Sequence, residues 1–298
     1  MSTILVIDVG GTSIKIGFVV DGEPQEFIRL FSTTELRRDP IAAFERIIST
    51  AMTESGLQPA AIVSTVPGFL DAQQNRVLYA ANIPELNGLL LASDLAHRIG
   101  LPVLLERDSV LALMGEYVAG ACQGAGSVLG LFFGTGVGGA FLQQGLPFRG
   151  SGWALEIGHM PFSASHQWLR AERGECLEAY ASGKALERIA EHHQVPIEDV
   201  FRASAQASEL SNHLREFITN QAYAIATAIA ILSPETVVLG GGICEMRDFP
   251  KVQLVSELEK LFPFLSTGRP LDLRWASLGW RSVLHGATFA MRKDETGG

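Results

Sequence analysis

The alternation of apolar and polar residues repeats itself in the two halves of the chain. Residues 7–24 and 130–147 each contain an apolar strand, a Gly/Thr turn, a second strand and a polar reverse turn. An offset of about 123 positions aligns Gly11–Thr12 with Gly134–Thr135. The pattern therefore predicts one β-hairpin unit that occurs twice.

Strands and helices alternate after each predicted hairpin. Apolar runs predict strands at 3–9, 14–20, about 25–31, 60–66, 103–107, from about 127, and at 235–239. Helical spacing predicts helices at 40–54, 108–119, 211–232 and near the end of the chain. A β-meander followed by alternating β and α elements predicts an α/β fold duplicated into two lobes with a cleft between them.

The lobes are expected on either side of a hinge near 116–124, where Gly and Ala thin the packing. We expect an N-terminal lobe at 1–118, with the helix at about 281–298 packing back on it. The C-terminal lobe is expected at 119–280. A chain of 298 residues is longer than one core usually serves, which agrees with two lobes.

The net charge and the cysteine content indicate which kinds of partner and which cellular compartment fit the protein. The net charge of −9 argues against nucleic acid or an anionic membrane surface as the main partner. Three cysteines form no disulfide framework, which fits a reducing, cytoplasmic setting. The N-terminus lacks a basic region, and no apolar run approaches the roughly 18 residues of a membrane span.

The first glycine turn has the groups that a phosphate and magnesium site requires. In the segment Asp8-Val-Gly-Gly-Thr-Ser-Ile-Lys15, an acidic residue leaves a strand and enters the turn, with a hydroxyl and a lysine just behind. Such a turn offers N–H donors to an anion, and the carboxylate can reach metal-bound water. The alternative is a simple hairpin whose turn needs glycines, and the recurrence at Gly134 argues against it.

Two further glycine clusters lie in the second half. The segment Gly134-Thr-Gly-Val-Gly-Gly139 matches G-x-G-x-x-G, but dinucleotide binding needs a helix directly after the turn, and the next residues predict a strand. We therefore reject dinucleotide binding and keep phosphate binding. Gly240–Gly242 follows a predicted strand, where it allows either close approach of adenosine or simple loop packing.

The candidate general base is Asp108, which lies where a predicted strand meets the next helix. On local sequence alone, capping of that helix is favoured over a catalytic role. Glu156, His159 and Glu178 follow glycine-rich turns later in the chain. Two carboxylates and an imidazole could accept hydrogen bonds from a polyhydroxylated ligand such as a sugar.

Taken in order, these motifs resemble the ROK family of sugar kinases and regulators, within the sugar kinase/Hsp70/actin (ribonuclease H-like) fold. The resemblance covers essentially the whole chain and rests on DVGGTSIK, Pro67–Gly68, Asn82-Ile-Pro, Arg107–Asp108, GTGVGG, EIGH, CLE and LGGG. It implies transfer of the ATP γ-phosphate to the 6-hydroxyl of an aldohexose, with Mg²⁺. Arg107–Asp108 and GGGICEM are most similar to the D-allose kinase branch.

The resemblance implies a role for each matching residue. Asp108 is the implied catalytic base. The implied sugar-binding residues are Gly68, Asn82, Arg107, Asp108, Glu156, His159 and Glu178. The implied ATP-binding residues are Asp8, Gly10, Gly11, Thr12, Lys15, Gly134, Thr135, Gly136, Gly241 and Gly242, with Mg²⁺ near Asp8 through water.

The chain departs from the family pattern at several positions. Arg107 stands where the family usually has Asn, Val110 replaces an Asn, and Leu155 replaces a Gly. The family's structural zinc is held by a His, here His159, and three cysteines. Only Cys176 of those cysteines is present, since the other two positions are Leu169 and Ala171, and we predict no zinc.

Some alternatives stay open from the sequence. Arg107 either contacts a sugar hydroxyl or pairs with Glu106 or Glu116. The chain could be an N-acetylated amino-sugar kinase, which differs only in pocket shape, or a non-catalytic sugar-binding homologue. The resemblance further implies a homodimer.

Overall fold

The structure, a computed structural model, describes residues 3–162, 176–204, 208–261, 268 and 270–296. It contains both strands and helices, which follow one another along the chain as the α/β prediction requires. The chain divides into two compact units. The first unit comprises Met1–Gly124, Gly145–Ala154 and Ser277–Gly298, and the second comprises Ala125–Gln144 and Leu155–Ala276.

The strands of the described residues have the following bounds: β1 (Thr3–Val9), β2 (Ser13–Val20), β3 (Glu23–Ser32), β4 (Ala61–Val66), β5 (Phe69–Leu70), β6 (Val77–Tyr79), β7 (Val103–Arg107), β8 (Ser127–Phe133), β9 (Val137–Gln143), β10 (Leu146–Pro147), β11 (Thr236–Gly240) and β12 (Asp272–Trp275).

The α-helices of the same residues are α1 (Pro40–Ser55), α2 (Leu91–Ile99), α3 (Asp108–Ala119), α4 (Glu178–Ala181), α5 (Gly183–His192), α6 (Val200–Ala203), α7 (Ser208–Leu232), α8 (Lys251–Leu261) and α9 (Arg281–Thr296). Short 3-10 helices lie at Thr33–Arg37, Pro84–Leu86, Ile157–His159 and Ile197–Asp199. None of the helices among these residues is long and apolar enough to cross a bilayer.

The sheet of the first unit has the order β3-β2-β1-β4-β7. β1 is antiparallel to β2 and parallel to β4, which is in turn parallel to β7. Because β1, β4 and β7 run in the same direction, their carboxyl ends meet at one edge of the sheet. Asp8, Gly68 and Asp108 lie at or just beyond those ends, and ligands of α/β sheets bind at that edge.

Helices α3 and α9 of the first unit cross with their backbones in close contact. A Cβ on Gly115 of α3 would overlap the carbonyl oxygen of Ser282, and a Cβ on Gly286 of α9 would overlap that of Leu111. The glycines therefore set how closely these helices pack. The carboxylate of Glu116 accepts hydrogen bonds from the N–H groups of Ser277 and Leu278, both at 2.9 Å, just before α9.

Within the second unit the strand order is β9-β8-β11-β12. β8 is antiparallel to β9 and parallel to β11, which is parallel to β12. This order of antiparallel and parallel pairs matches β2-β1-β4-β7, as the repeated hairpin predicts. The core of this unit packs α7 and the short helices against the sheet around Leu129, Leu131 and Phe217.

Candidate active site

Asp8 is the acidic residue near the carboxyl end of β1, and Thr65 of β4 fixes its side chain. The Thr65 hydroxyl donates to Asp8 Oδ1 at 3.0 Å and accepts the Val9 N–H at 2.7 Å. Burial raises the pKa of Asp8, while the Thr65 hydrogen bond and the charge of Lys15 oppose the rise. Lys15 lies directly across the β1–β2 ladder from Asp8. A carboxylate, a hydroxyl and an ammonium thus meet at the first glycine turn.

The first glycine turn lies against Asn82. The Gly10 N–H donates to the Ser13 carbonyl at 2.9 Å, which closes the turn. A Cβ on Gly11 would lie 3.2 Å from Asn82 Nδ2, and the Thr12 side chain is exposed. The structure therefore brings a predicted sugar-binding residue to the predicted phosphate turn within the first unit.

Gly68, after β4, allows a close approach of two chain segments. A Cβ there would overlap the carbonyl oxygen of Tyr79. The next residue, Phe69, stacks on the half-exposed ring of Trp153, with 5.4 Å between ring centroids. Sequence reasoning missed Trp153, whose only signal is an isolated tryptophan in a glycine-rich segment.

Arg107, the last residue of β7, is only 1% exposed. The neighbouring Glu106 is also buried, and its Oε1 accepts the Arg107 backbone N–H at 2.9 Å. Glu106 Oε2 forms a salt bridge with Arg149, at 2.6 Å from its terminal nitrogen. The guanidinium of Arg149, which no motif singled out, neutralises the charge of Glu106 two residues before the predicted base.

Asp108 opens α3 with an exposed side chain. Its Oδ1 accepts the Ser109 N–H at 2.7 Å, so the carboxylate does stabilise the first turn of the helix. Arg107, not Asp108, has the N-cap position, and it makes no side-chain capping bond. Asp108 therefore combines a fixed orientation with solvent access, as a proton acceptor requires.

In the second unit, Glu178 lies against the second glycine turn. Its Oε2 accepts the Val137 N–H at 3.1 Å, and a Cβ on Gly136 would overlap that oxygen. The Gly134 N–H donates to the Gly136 carbonyl at 3.0 Å, and the Gly134 carbonyl accepts the Gly183 N–H at 2.7 Å. Thus α4 and α5 hold the turn from behind, while Thr135 stays exposed.

The Gly240–Gly242 run lies beside the same turn. Gly241 has φ +91°, and a Cβ there would overlap the backbone of Phe133, which directly precedes Gly134. The Phe133 carbonyl accepts the Ile243 N–H at 3.0 Å. Gly242 has no atom within 4 Å of the position its Cβ would take. The second unit therefore joins two predicted ATP-binding segments around an open backbone position.

Glu156 directly precedes the short 3-10 helix Ile157–His159, and the side chain of His159, its last residue, is exposed. Leu155, the residue before Glu156, has φ +67°, a conformation that glycine adopts without strain. The structure thus uses a leucine at a backbone position suited to the glycine of the family pattern.

The zinc prediction depends on His159, on Cys176 and on positions between them. The backbones of Cys176 and Pro161 pair as an isolated antiparallel β-bridge. Trp168, Leu169 and Ala171, on which the prediction of no zinc depends, lie outside the described residues. That prediction therefore stays a prediction.

The comparisons with known proteins agree with these motifs. A model of the ROK family matches residues 4–294. The chain belongs to the ROK family. The N-acetyl-D-glucosamine kinase of Vibrio parahaemolyticus is 30% identical over 309 residues, covering 95% of this chain and 97% of the relative. The glucokinase of Thermotoga maritima is 28% identical over 258 residues, covering 80% and 81%.

Solved ROK structures match the fold. The ROK hexokinase from Thermus thermophilus has a TM-score of 0.79 and 28% identity, with 99% of this chain and 100% of that chain covered. A ROK glucokinase from Streptomyces griseus, in complex with glucose and AMPPNP, has a TM-score of 0.79 and 25% identity, with 98% and 100% covered. The predicted actin-like fold is confirmed.

Proposed function

We propose that this ROK protein transfers the γ-phosphoryl group of ATP to the 6-hydroxyl of an aldohexose. The observation that carries the proposal is the exposed carboxylate of Asp108, held at the same sheet edge as Asp8 and the first glycine turn. Named kinases among the ROK relatives support the ATP-dependent sugar kinase activity.

Asp108 accepts the proton of the sugar hydroxyl as that oxygen attacks the γ-phosphorus, and the bond from this phosphorus to the bridging oxygen of ADP breaks so that ADP leaves. A positioned base of this kind contributes about 10²–10⁴-fold to the rate. Its bond to the Ser109 N–H fixes the orientation of the carboxylate. Most of the remaining acceleration in phosphoryl transfer comes from alignment and charge stabilisation.

Each unit has nucleotide-binding residues of its own. In the first unit, Asp8, Gly10, Gly11, Thr12 and Lys15 bind phosphate oxygens and the metal's water shell. In the second, Gly134, Thr135 and Gly136 bind phosphate, and Gly241 and Gly242 lie against adenosine. The open space above Gly134 and Gly242 supports this assignment, because a ligand can contact the bare backbone there.

The residues around Asp8 fit a magnesium ion. Mg²⁺ typically keeps several waters and takes one or two carboxylates together with substrate phosphates. Asp8 provides a carboxylate oriented by Thr65 at the first glycine turn. When bound, the ion neutralises phosphate charge, and Lys15 adds a second positive charge across the ladder.

The sugar is held by Asn82, Glu156, His159 and Glu178, with Gly68 close to it. Asn82 already lies against Gly11, which supports a sugar position next to the phosphate turn. Glu178 accepts a backbone N–H of the second glycine turn, so this residue links sugar contact to the turn. Arg107 lies buried one residue before the base, where it would influence which epimer is accepted.

Several sugars are candidates for the phosphate acceptor. Arg107–Asp108 favours D-allose, while the glucokinase and N-acetyl-D-glucosamine kinase relatives favour glucose or its N-acetylated amine. Epimers differ in one hydroxyl, and a site that hydrogen-bonds this hydroxyl can reject the wrong epimer strongly. The homodimer, the cytoplasmic location and the absence of structural zinc stay predictions.

The decisive experiment measures ADP release with Mg-ATP over allose, glucose, mannose, fructose and their N-acetyl analogues. We expect turnover with at least one aldohexose and a loss of about 10²–10⁴-fold in kcat for Asp108→Asn, with sugar binding retained. Asp94→Asn, on α2 of the same unit, is the matched control and should keep full activity. Sugar binding without ADP release by any panel member would instead support a non-catalytic sugar-binding protein.

A further inference from the structure

Three histidines meet where the end of α5 lies beside α7, at residues that the proposed kinase site does not use. One side-chain nitrogen from each of His192, His193 and His213 lies within 4.8 Å of the other two. His192 is exposed, His193 is half-buried, and His213 is 8% exposed. The cluster therefore reaches from solvent into the edge of the second unit's core.

The spacing of the nitrogens suits a single transition-metal ion. His193 Nε2 and His213 Nδ1 are 2.8 Å apart. Two imidazole nitrogens on one zinc ion, each about 2.0–2.1 Å from it, are roughly 2.8–3.4 Å apart at bond angles between 90° and the tetrahedral value. Replacing the shared proton with a metal thus requires the two rings to separate by only a few tenths of an ångström.

The backbone that carries His192 and His193 is already fixed. α5 begins with Ser182 capping the Ala185 N–H at 3.4 Å, and it buries Leu186 and Ile189 against the core. The His193 N–H donates to the Ile189 carbonyl at 3.1 Å, so the residue after the helix stays attached to its last turn. Ligands on such rigid elements lose little entropy when a metal binds.

We propose that His192, His193 and His213 bind one divalent transition-metal ion of the zinc, nickel or copper class. Imidazole nitrogen suits these ions, whereas Mg²⁺ prefers oxygen ligands. Three histidines leave a fourth position for water. The ion joins α5 to α7, so its binding stabilises the folded second unit by mass action. None of these ligands coincides with His159 or Cys176 of the family zinc motif.

The test titrates Zn²⁺ into tag-free, metal-stripped protein by calorimetry, with the thermal midpoint recorded in parallel. We expect one equivalent to bind and the midpoint to rise with Zn²⁺ but not with Mg²⁺. Loss of an outer-shell partner alone weakens metal sites about 10–100-fold, so His192→Gln should weaken binding by at least about tenfold. Because His192 is exposed, this variant should fold normally.

Two controls separate this site from others. His97→Gln removes an exposed histidine on α2 and should leave the affinity unchanged. Cys176→Ser should also leave it unchanged, and the cobalt-substituted protein should show no thiolate-to-metal charge-transfer band. His213→Gln should abolish binding in protein whose circular dichroism matches wild type. No stoichiometric zinc uptake by wild type, or equal affinity in wild type and His192→Gln, would overturn the proposal.

Discussion

The hydroxyl of Thr65 donates to Asp8 Oδ1 at 3.0 Å, and the Oγ1 atom of Thr65 accepts the N–H of Val9 at 2.7 Å. One side chain of β4 thus satisfies a buried backbone donor of β1 and orients the carboxylate proposed to reach the metal's water shell. Burial nevertheless raises the pKa of Asp8. Ionising Asp8 in the folded protein therefore costs stability.

Asp8→Asn should make the ligand-free protein more stable and the enzyme less active. The amide oxygen of Asn can still accept from Thr65, while the desolvated charge is gone. We expect a gain of about 0.5–2 kcal/mol in the free energy of unfolding at pH 7, the usual range for a stabilising substitution. The turnover with Mg-ATP should fall by about 10²-fold or more. Urea denaturation and ADP release measure the two effects.

The stability gain of Asp8→Asn should depend on pH. Because the folded-state pKa of Asp8 is raised, its ionisation costs nothing below the ordinary value of 3.8. The cost grows as the pH rises from there through the folded-state pKa, and is constant above it. The difference between the variant and wild type should therefore shrink on acidification. A gain that increases toward low pH would contradict the burial argument.

Thr65→Val should destabilise the first unit, because valine has nearly the same shape but leaves the buried Val9 N–H without its acceptor. An unsatisfied buried donor costs about 1–3 kcal/mol, and that loss is expected in denaturant unfolding. Thr65→Ser keeps the hydroxyl and is the matched control, with a smaller loss. Equal losses in the two variants would show that packing, rather than the hydrogen bond, is what Thr65 provides.

At position 155, glycine should give a more stable protein than alanine, the reverse of their usual effect on stability. The φ of +67° at Leu155 is strained for any residue with a Cβ, at a cost of about 1–2 kcal/mol. Leu155→Gly and Leu155→Ala both lose the contact with the second unit's core, but only glycine relieves the strain. We expect the glycine variant to be more stable by about 1 kcal/mol in thermal unfolding. An alanine variant that is as stable would refute the strain.

Gly242→Ala should weaken ATP binding without changing the stability of the fold. No atom lies within 4 Å of the new Cβ, so the free energy of unfolding should change by less than about 0.5 kcal/mol. The methyl group would intrude where adenosine is proposed to lie, and the KM for ATP should rise with little change in the KM for sugar. Gly241→Ala, whose Cβ would overlap Phe133, should instead lose stability. An unchanged KM for ATP in Gly242→Ala would show that adenosine does not contact this loop.

The sequence predicted elements best where the signal is local. Strand 3–9 and helix 108–119 coincide with β1 and α3, because apolar periodicity and the change of period at Asp108 lie within each segment. Helix α5 was not predicted. Its buried residues Ala185, Leu186, Ile189 and Ala190 have the spacing of an amphipathic helix, so the local pattern indicates this element and the sequence reasoning missed it.

The candidate site was predictable as separate residues but not as contacts. Gly136 and Glu178 were each selected for chemistry, yet nothing in their spacing indicates that the carboxylate bonds to the adjoining Val137 N–H. The tie between Thr65 and Asp8 joins residues 57 positions apart. Thr65 is one of two neighbouring hydroxyl residues, with Ser64, in an otherwise apolar strand, and nothing in that pattern indicates which of them reaches Asp8. Such long-range pairs depend on strand order and register, which local patterns do not specify.

The crossing of α3 and α9 has a consequence for synthesis of the chain. Helix α9 follows the whole second unit in sequence, yet its Gly286 lies against the backbone of Leu111 in α3. On the ribosome, where folding proceeds from the N-terminus, α3 must wait with an uncovered face while more than a hundred further residues emerge. The second unit can therefore mature first, and the earlier-made unit is completed last, when the returning helix closes over it.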